Sequence, residues 1–91
     1  MASKEQLYEA SMAKWGIRSQ LDMLAEECCE LSIAALKQHR SVNGAGPDKL
    51  AEELADVEIM SEQFIHCCNL REKVDDWKEK KLRRLANTLE E

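Results

Sequence analysis

Aromatic residues are almost missing from this 91-residue chain: Tyr8, Trp15, Phe64 and Trp77 are all there are, 4 % of the total. With so few of them, and few β-branched residues, a β-sandwich or barrel is not expected. Glycine and proline are equally scarce, at three and one, which excludes collagen-like and loop-dominated chains. No apolar run approaches the ~20 residues of a membrane span, and MASKEQLYEA at the N-terminus has no apolar core of a secretory signal. Basic residues are in deficit, 13 against 18 acidic, a net of −5. That balance, with no long basic face, argues against generic nucleic-acid binding. The expectation is a single domain over 1–91, in the cytoplasm, with neither a membrane nor a nucleic acid as partner.

The four cysteines form two vicinal pairs, Cys28-Cys29 and Cys67-Cys68. Neither has the two-residue gap of a zinc knuckle or a thioredoxin-like motif. Neighbours on a helix point about 100° apart, so reduced, half-buried core cysteines are the reading adopted over a metal or redox role.

What is present in abundance is helical spacing. A short segment at about 3–13 is opened by Ser3 and closed at Gly16. A long helix follows over about 17–40, with the stripe Ile17, Leu21, Leu24, Cys28, Leu31 and Ala35. Residues 41–47 hold two glycines and the proline and read as the one clear loop. Asp48 is a suitable N-cap for a helix at about 49–68, whose stripe is Leu50, Leu54, Val57 and Phe64. A last helix, about 70–90, carries Leu70, Val74, Trp77, Leu82, Leu85 and Leu89. The expected fold is all-α, a small four-helix bundle with two long antiparallel helices either side of the loop. A chain this short buries only roughly 60–65 % of its surface, so completion of the bundle by oligomerisation is expected, as a homodimer or homotetramer.

The chemistry sits in Glu26-Glu27-Cys28-Cys29-Glu30 on one long helix and Glu52-Glu53-Leu54-Ala55-Asp56 on the next. Glu27 and Glu30 are three apart, as are Glu53 and Asp56, and that spacing puts each pair on one helical face. The acids stand beside Cys28, Leu31, Leu54 and Val57, at the edge of the apolar seam. Like charges so placed repel unless something neutralises them, and oxygen-only ligation suits Mg²⁺ or Mn²⁺. A di-iron centre would need Glu-x-x-His on two helices, but Leu36 and Gln63 precede His39 and His66 by three. Taken alone, either acidic pair is an ordinary solvated face.

Glu-Glu-x-x-Glu, a gap of 22 residues and then Glu-x-x-Asp resembles the pattern of the MazG-like, all-α nucleoside triphosphate pyrophosphohydrolases. The resemblance runs from Trp15-Gly16-Ile17 and Gln20-Leu21 through both acidic motifs to Lys81-Leu82-x-Arg84-Leu85. It implies a MazG-like fold, Glu27, Glu30, Glu53 and Asp56 as ligands of Mg²⁺ (or Mn²⁺), and Glu26 as an outer, water-orienting carboxylate. Catalytic work would fall to Glu26 and Glu27, and the implied reaction cleaves between the α- and β-phosphates, giving a nucleoside monophosphate and pyrophosphate.

Substrate contacts are each set against a plainer role. Lys37, two turns beyond Glu30, is either a phosphate ligand or an exposed lysine at a helix end. Lys78, Lys81 and Arg84 share a face within a segment of net charge +4 (78–84), and meet either polyphosphate or acidic neighbours. Asn69 is a substrate donor or, by preference, a helix-junction cap. Trp15 is read first as a core anchor and second as a stacking surface for a nucleobase; Trp77 is read as core or subunit interface. The competing function is a non-enzymatic helical oligomer, an interaction module whose acidic rows are solvated or dock a basic partner.

Overall fold

The computed structural model describes residues 1–40 and 46–91, and among them the chain is helical throughout, with no strand. Three helices take the place of the four expected: α1 (Lys4–Arg40), α2 (Gly46–Cys67) and α3 (Arg71–Leu89). The expected first two helices run as one element bent at Gly16, whose φ of 84° and ψ of 155° are non-helical. That region of backbone space is open essentially to glycine alone. Most of the expected loop, 41–45, lies outside the described residues. Gly46 and Pro47 already belong to α2, so Asp48 is a first-turn residue and not the cap; proline is well suited to a first turn, where its missing N–H costs nothing.

Ser3 opens α1 as expected, through a reciprocal capping box. Its hydroxyl accepts from the Gln6 N–H (3.1 Å), while Gln6 Oε1 accepts from the Ser3 N–H (2.9 Å). At the far end of α2, Asn69 adopts a positive φ of 53°, and the Leu70 N–H returns to the Ile65 carbonyl at 2.9 Å. This is a left-handed helix stop, a conformation asparagine tolerates better than most residues. Asn69 thus sits at the helix junction, but as the backbone stop of α2; the N-cap position of α3 is Leu70, with no side-chain cap.

α1 and α2 lie side by side and antiparallel. Glu9 meets His66, Gln20 meets Gln63, and Glu27 and Glu30 meet Glu53 and Asp56, so partners ascend along one helix as they descend along the other. The buried and half-buried positions of α1 include Tyr8, Gln20, Leu24, Glu27, Leu31 and Ala34; those of α2 include Leu50, Glu53, Val57, Met60 and Phe64. This seam is rotated by about 60° from the apolar stripe expected for α1. Ile17, Leu21 and Leu54 are exposed, as are Cys28, Cys29 and Ala35, while Gln20 and Glu53 are buried. The cysteines are free thiols, but only Cys67 and Cys68 are partly buried. Burial pushes the Cys67 thiol up from its ordinary value, with Glu9 adding to the effect.

The hydrophobic core is small, with Tyr8, Ala34, Met60 and Phe64 as its buried apolar members. α3 touches α2 and does not pack along α1. It buries none of its residues. Trp77, Leu82, Leu85 and Leu89 are exposed, so Trp77 is not a core residue of the single chain. No helix among the described residues is long and apolar enough to cross a membrane.

Candidate metal centre

Glu27 and Glu30 project from the middle of α1, Glu53 and Asp56 from the first half of α2. One carboxylate oxygen from each lies within 4.8 Å of the others, a grouping able to hold a metal ion. The sequence put these acids beside the seam, and the structure buries three of them there at least in part. Glu53 is 2 % exposed and Glu27 and Asp56 are partly buried; Glu30 sits at the solvent edge.

Burying a carboxylate costs several kcal/mol unless it is paired or hydrogen-bonded. Here Glu27 Oε2 and Glu53 Oε2 are buried with no hydrogen-bond partner. The Glu27 carboxyl is raised above its ordinary value by burial first, then by the charges of Asp56 and Glu30, a hydrogen bond with Asp56 and the charge of Glu53. Two orphaned oxygens on residues of one carboxylate cluster, with no nitrogen or sulfur in the set, fit a hard divalent cation that takes oxygen ligands.

One cation of the chain does reach the cluster. Lys49 Nζ is 3.0 Å from Glu53 Oε1 and 3.5 Å from Glu52 Oε1. Its ammonium is held above the usual lysine value, chiefly by the hydrogen bond to Glu53. The sequence reading passed over Lys49, although its four-residue spacing to Glu53 was the signal that would have found it.

The remaining expected site residues are not gathered around the carboxylates. Glu26 and Lys37 are exposed on α1, and Glu26 is outside the cluster. Lys78, Lys81 and Arg84 are exposed on α3, which does not contact α1. Trp15 is 54 % exposed with the Lys14 ammonium 5.2 Å from its ring centre, so its expected role as a core anchor does not hold. Asn69 borders a separate cavity of about 370 Å³ between the start of α1 and the end of α2, lined also by Lys4, Tyr8, Glu62, His66 and Arg71. There the Tyr8 hydroxyl donates to Glu62 at 2.5 Å. That bond holds the Glu62 carboxyl below its ordinary value, with Lys4 assisting, and pushes the Tyr8 phenol up to about 12.

Between cluster and cavity, Gln63 Nε2 donates to Gln20 Oε1 at 2.6 Å inside the seam. The helix pair is therefore polar at its centre, held by two glutamines, and acidic toward the end where α2 begins. Against models of known protein families, curated proteins and solved structures, the chain gives no match.

Proposed function

We propose that the chain is a MazG-like, metal-dependent nucleoside triphosphate pyrophosphohydrolase that releases nucleoside monophosphate and pyrophosphate. The observation that carries this reading is the pair of buried, unpartnered oxygens, on Glu27 and Glu53, within a four-carboxylate cluster built from two helices. Acidic rows that merely dock a basic partner, or face water, have no reason to place Glu53 at 2 % exposure. Glu27, Glu30, Glu53 and Asp56 would hold Mg²⁺ or Mn²⁺, which when bound polarises a phosphoryl group and lowers the pKa of an attacking water. The choice of the bond between the α- and β-phosphates rests on the resemblance of the two acidic motifs to the MazG-like family.

The chain's own residues then divide the work. The cluster's negative charge turns away a bare polyphosphate and admits one only with its cations. Glu27, partly buried in the seam, would act from within the ligand set, and the resemblance gives it a share in taking the proton of the attacking water. Glu26, one residue earlier and solvent-facing, would orient water only by the resemblance, since it lies outside the cluster.

The same reading includes a homo-oligomer that completes a four-helix arrangement. The chain exposes 7405 Å², whereas a compact monomer of its mass exposes about 5,400 Å². Its radius of gyration is 16.2 Å, against about 12 Å for a compact domain of this length. The excess surface, roughly 2,000 Å², exceeds the ~800 Å² per partner of a standard interface. A second copy laid on Ile17, Leu21 and the apolar face of α3 would cover it, and would bring Lys78, Lys81 and Arg84 toward the carboxylates of its neighbour. Pyrophosphate release from a panel of canonical and modified nucleoside triphosphates, with Mg²⁺ and with EDTA, tests the activity. Loss of all release in Glu53→Gln is the expected control, and metal-independent release overturns the proposal.

A further inference from the structure

Lys49 stands in the first turn of α2, where the helix dipole disfavours a cation, and it precedes its glutamate partner by four residues, the weaker of the two orientations for such a pair. Lysine is a good helix former, but neither the dipole nor the pair's orientation favours it at this end of the helix. What holds its ammonium is the acidic end of the seam: 3.0 Å to Glu53 Oε1 and 3.5 Å to Glu52 Oε1. The two members of the main pair are unequal. The Glu53 side chain is 3 % exposed and that of Lys49 is 58 % exposed, so the carboxylate is fixed by packing while the ammonium has an open path to water. The two oxygens of Glu53 differ: Oε1 meets the lysine, and Oε2 is buried without a hydrogen-bond partner. Among the described residues no other basic side chain is ion-paired to the cluster.

We propose that Lys49 is the internal counter-ion of the carboxylate cluster, bound to Glu53 in the metal-free protein and displaced to solvent when a divalent cation enters. This rests on the reading of the cluster as a cation site and adds what sets its affinity. The lysine competes with the cation for Glu53 and repels it. It lowers metal affinity and in exchange stabilises the unloaded cluster, so the site releases its ion more readily than four bare carboxylates would. Because packing, and not the lysine, fixes Glu53, removing the ammonium tightens binding and does not loosen it. A unit charge a few ångströms from a divalent ion in a water-like dielectric, reduced by salt, corresponds to about ten-fold in the dissociation constant.

The test is Mn²⁺ titration of the full chain, followed by the electron paramagnetic resonance signal of free Mn²⁺, together with melting in EDTA. Lys49→Gln, and Lys49→Met as a second neutral variant, are expected to bind Mn²⁺ about ten-fold more tightly at low ionic strength and to melt below the wild type in EDTA. Lys49→Arg keeps the charge and is expected to match the wild type, and raising the salt is expected to shrink the neutral variants' gain. Unchanged or weaker Mn²⁺ binding by both neutral variants overturns the counter-ion role while leaving the cation site standing. If wild-type protein leaves the free Mn²⁺ signal untouched, and Glu53→Gln does the same, the cation site itself is wrong and the lysine's role falls with it.

Discussion

Replacing Glu27 by Gln keeps the size of a side chain that lies in the helix seam and removes one of four charges gathered within 4.8 Å. Two unit charges at about 4 Å interact by ~1 kcal/mol in water and ~4 kcal/mol at the effective dielectric near a protein surface. Glu27 is only partly buried, so the lower end applies, and relief of about 1–2 kcal/mol is expected in the metal-free protein. For a domain of 60–100 residues, 1 kcal/mol moves the melting temperature by about 4–8 °C. Glu27→Gln is therefore expected to melt several degrees above the wild type in EDTA. Its response to Mg²⁺ should be the reverse. Wild-type protein at about 100 times its dissociation constant gains ~2.7 kcal/mol from the ion, and the variant, short of one ligand, gains little. The proton linkage points the same way. Because the Glu27 carboxyl is raised above its unfolded value, its contribution favours the metal-free fold below the ordinary carboxylate range and is lost as pH rises through the raised value. The variant should lack that slope. Melting followed by circular dichroism, across pH, with EDTA and with Mg²⁺, reads all three effects. A variant that melts lower than wild type in EDTA yet keeps the full Mg²⁺ shift refutes the reasoning.

Four further outcomes follow from particular contacts. Tyr8→Phe removes the hydroxyl that donates to Glu62. The wild type should lose stability in alkali as pH climbs from 10 toward about 12, the raised Tyr8 value, and in acid as Glu62, held low, takes its proton; pH-dependent melting of the variant should show neither loss from this pair. Gln63→Leu strands buried Gln20 Oε1 and should cost about 1–3 kcal/mol in urea unfolding, while Gln20→Leu combined with Gln63→Leu should recover most of it. Gly16→Ala forces a side chain into a left-handed backbone with φ of +84°, an expected loss of about 1–3 kcal/mol by the same assay. Leu85→Glu on the exposed face of α3 should shift the wild-type oligomer to monomer in light scattering; a wild-type chain already monomeric at micromolar concentration counts against the assembly.

Helix positions were legible because their signals are local: Ser3 and Gln6 close a box three residues apart, and Gly16 marks a bend that only glycine adopts. The convergence of Glu27, Glu30, Glu53 and Asp56 was legible as spacing on each helix and as a motif across both. What misled was the assumption that the apolar stripe is the buried one. Leu24, Leu31, Leu50, Val57 and Phe64 of the expected stripes do lie at the seam, but Gln20 and Glu53 share it while Ile17, Leu21 and Leu54 face out, which apolar spacing alone cannot reveal. Gln20 is tolerated there because Gln63 satisfies its amide oxygen across the helices, a pairing of residues 43 apart in sequence. Asp48 failed as a cap because α2 begins two residues earlier, at Gly46. The scarcity of aromatics favours a core anchor for Trp15, and Trp77 is read as core or subunit interface; both are exposed in the single chain, Trp77 because α3 only touches α2 and does not pack along α1.

The most direct test of the central claim is ³¹P nuclear magnetic resonance of a nucleoside triphosphate turned over by the protein with Mg²⁺. The account predicts pyrophosphate and nucleoside monophosphate appearing in step, with no turnover in EDTA or in Glu53→Gln. Orthophosphate and nucleoside diphosphate as the first products would contradict it, even with the four carboxylates holding a metal.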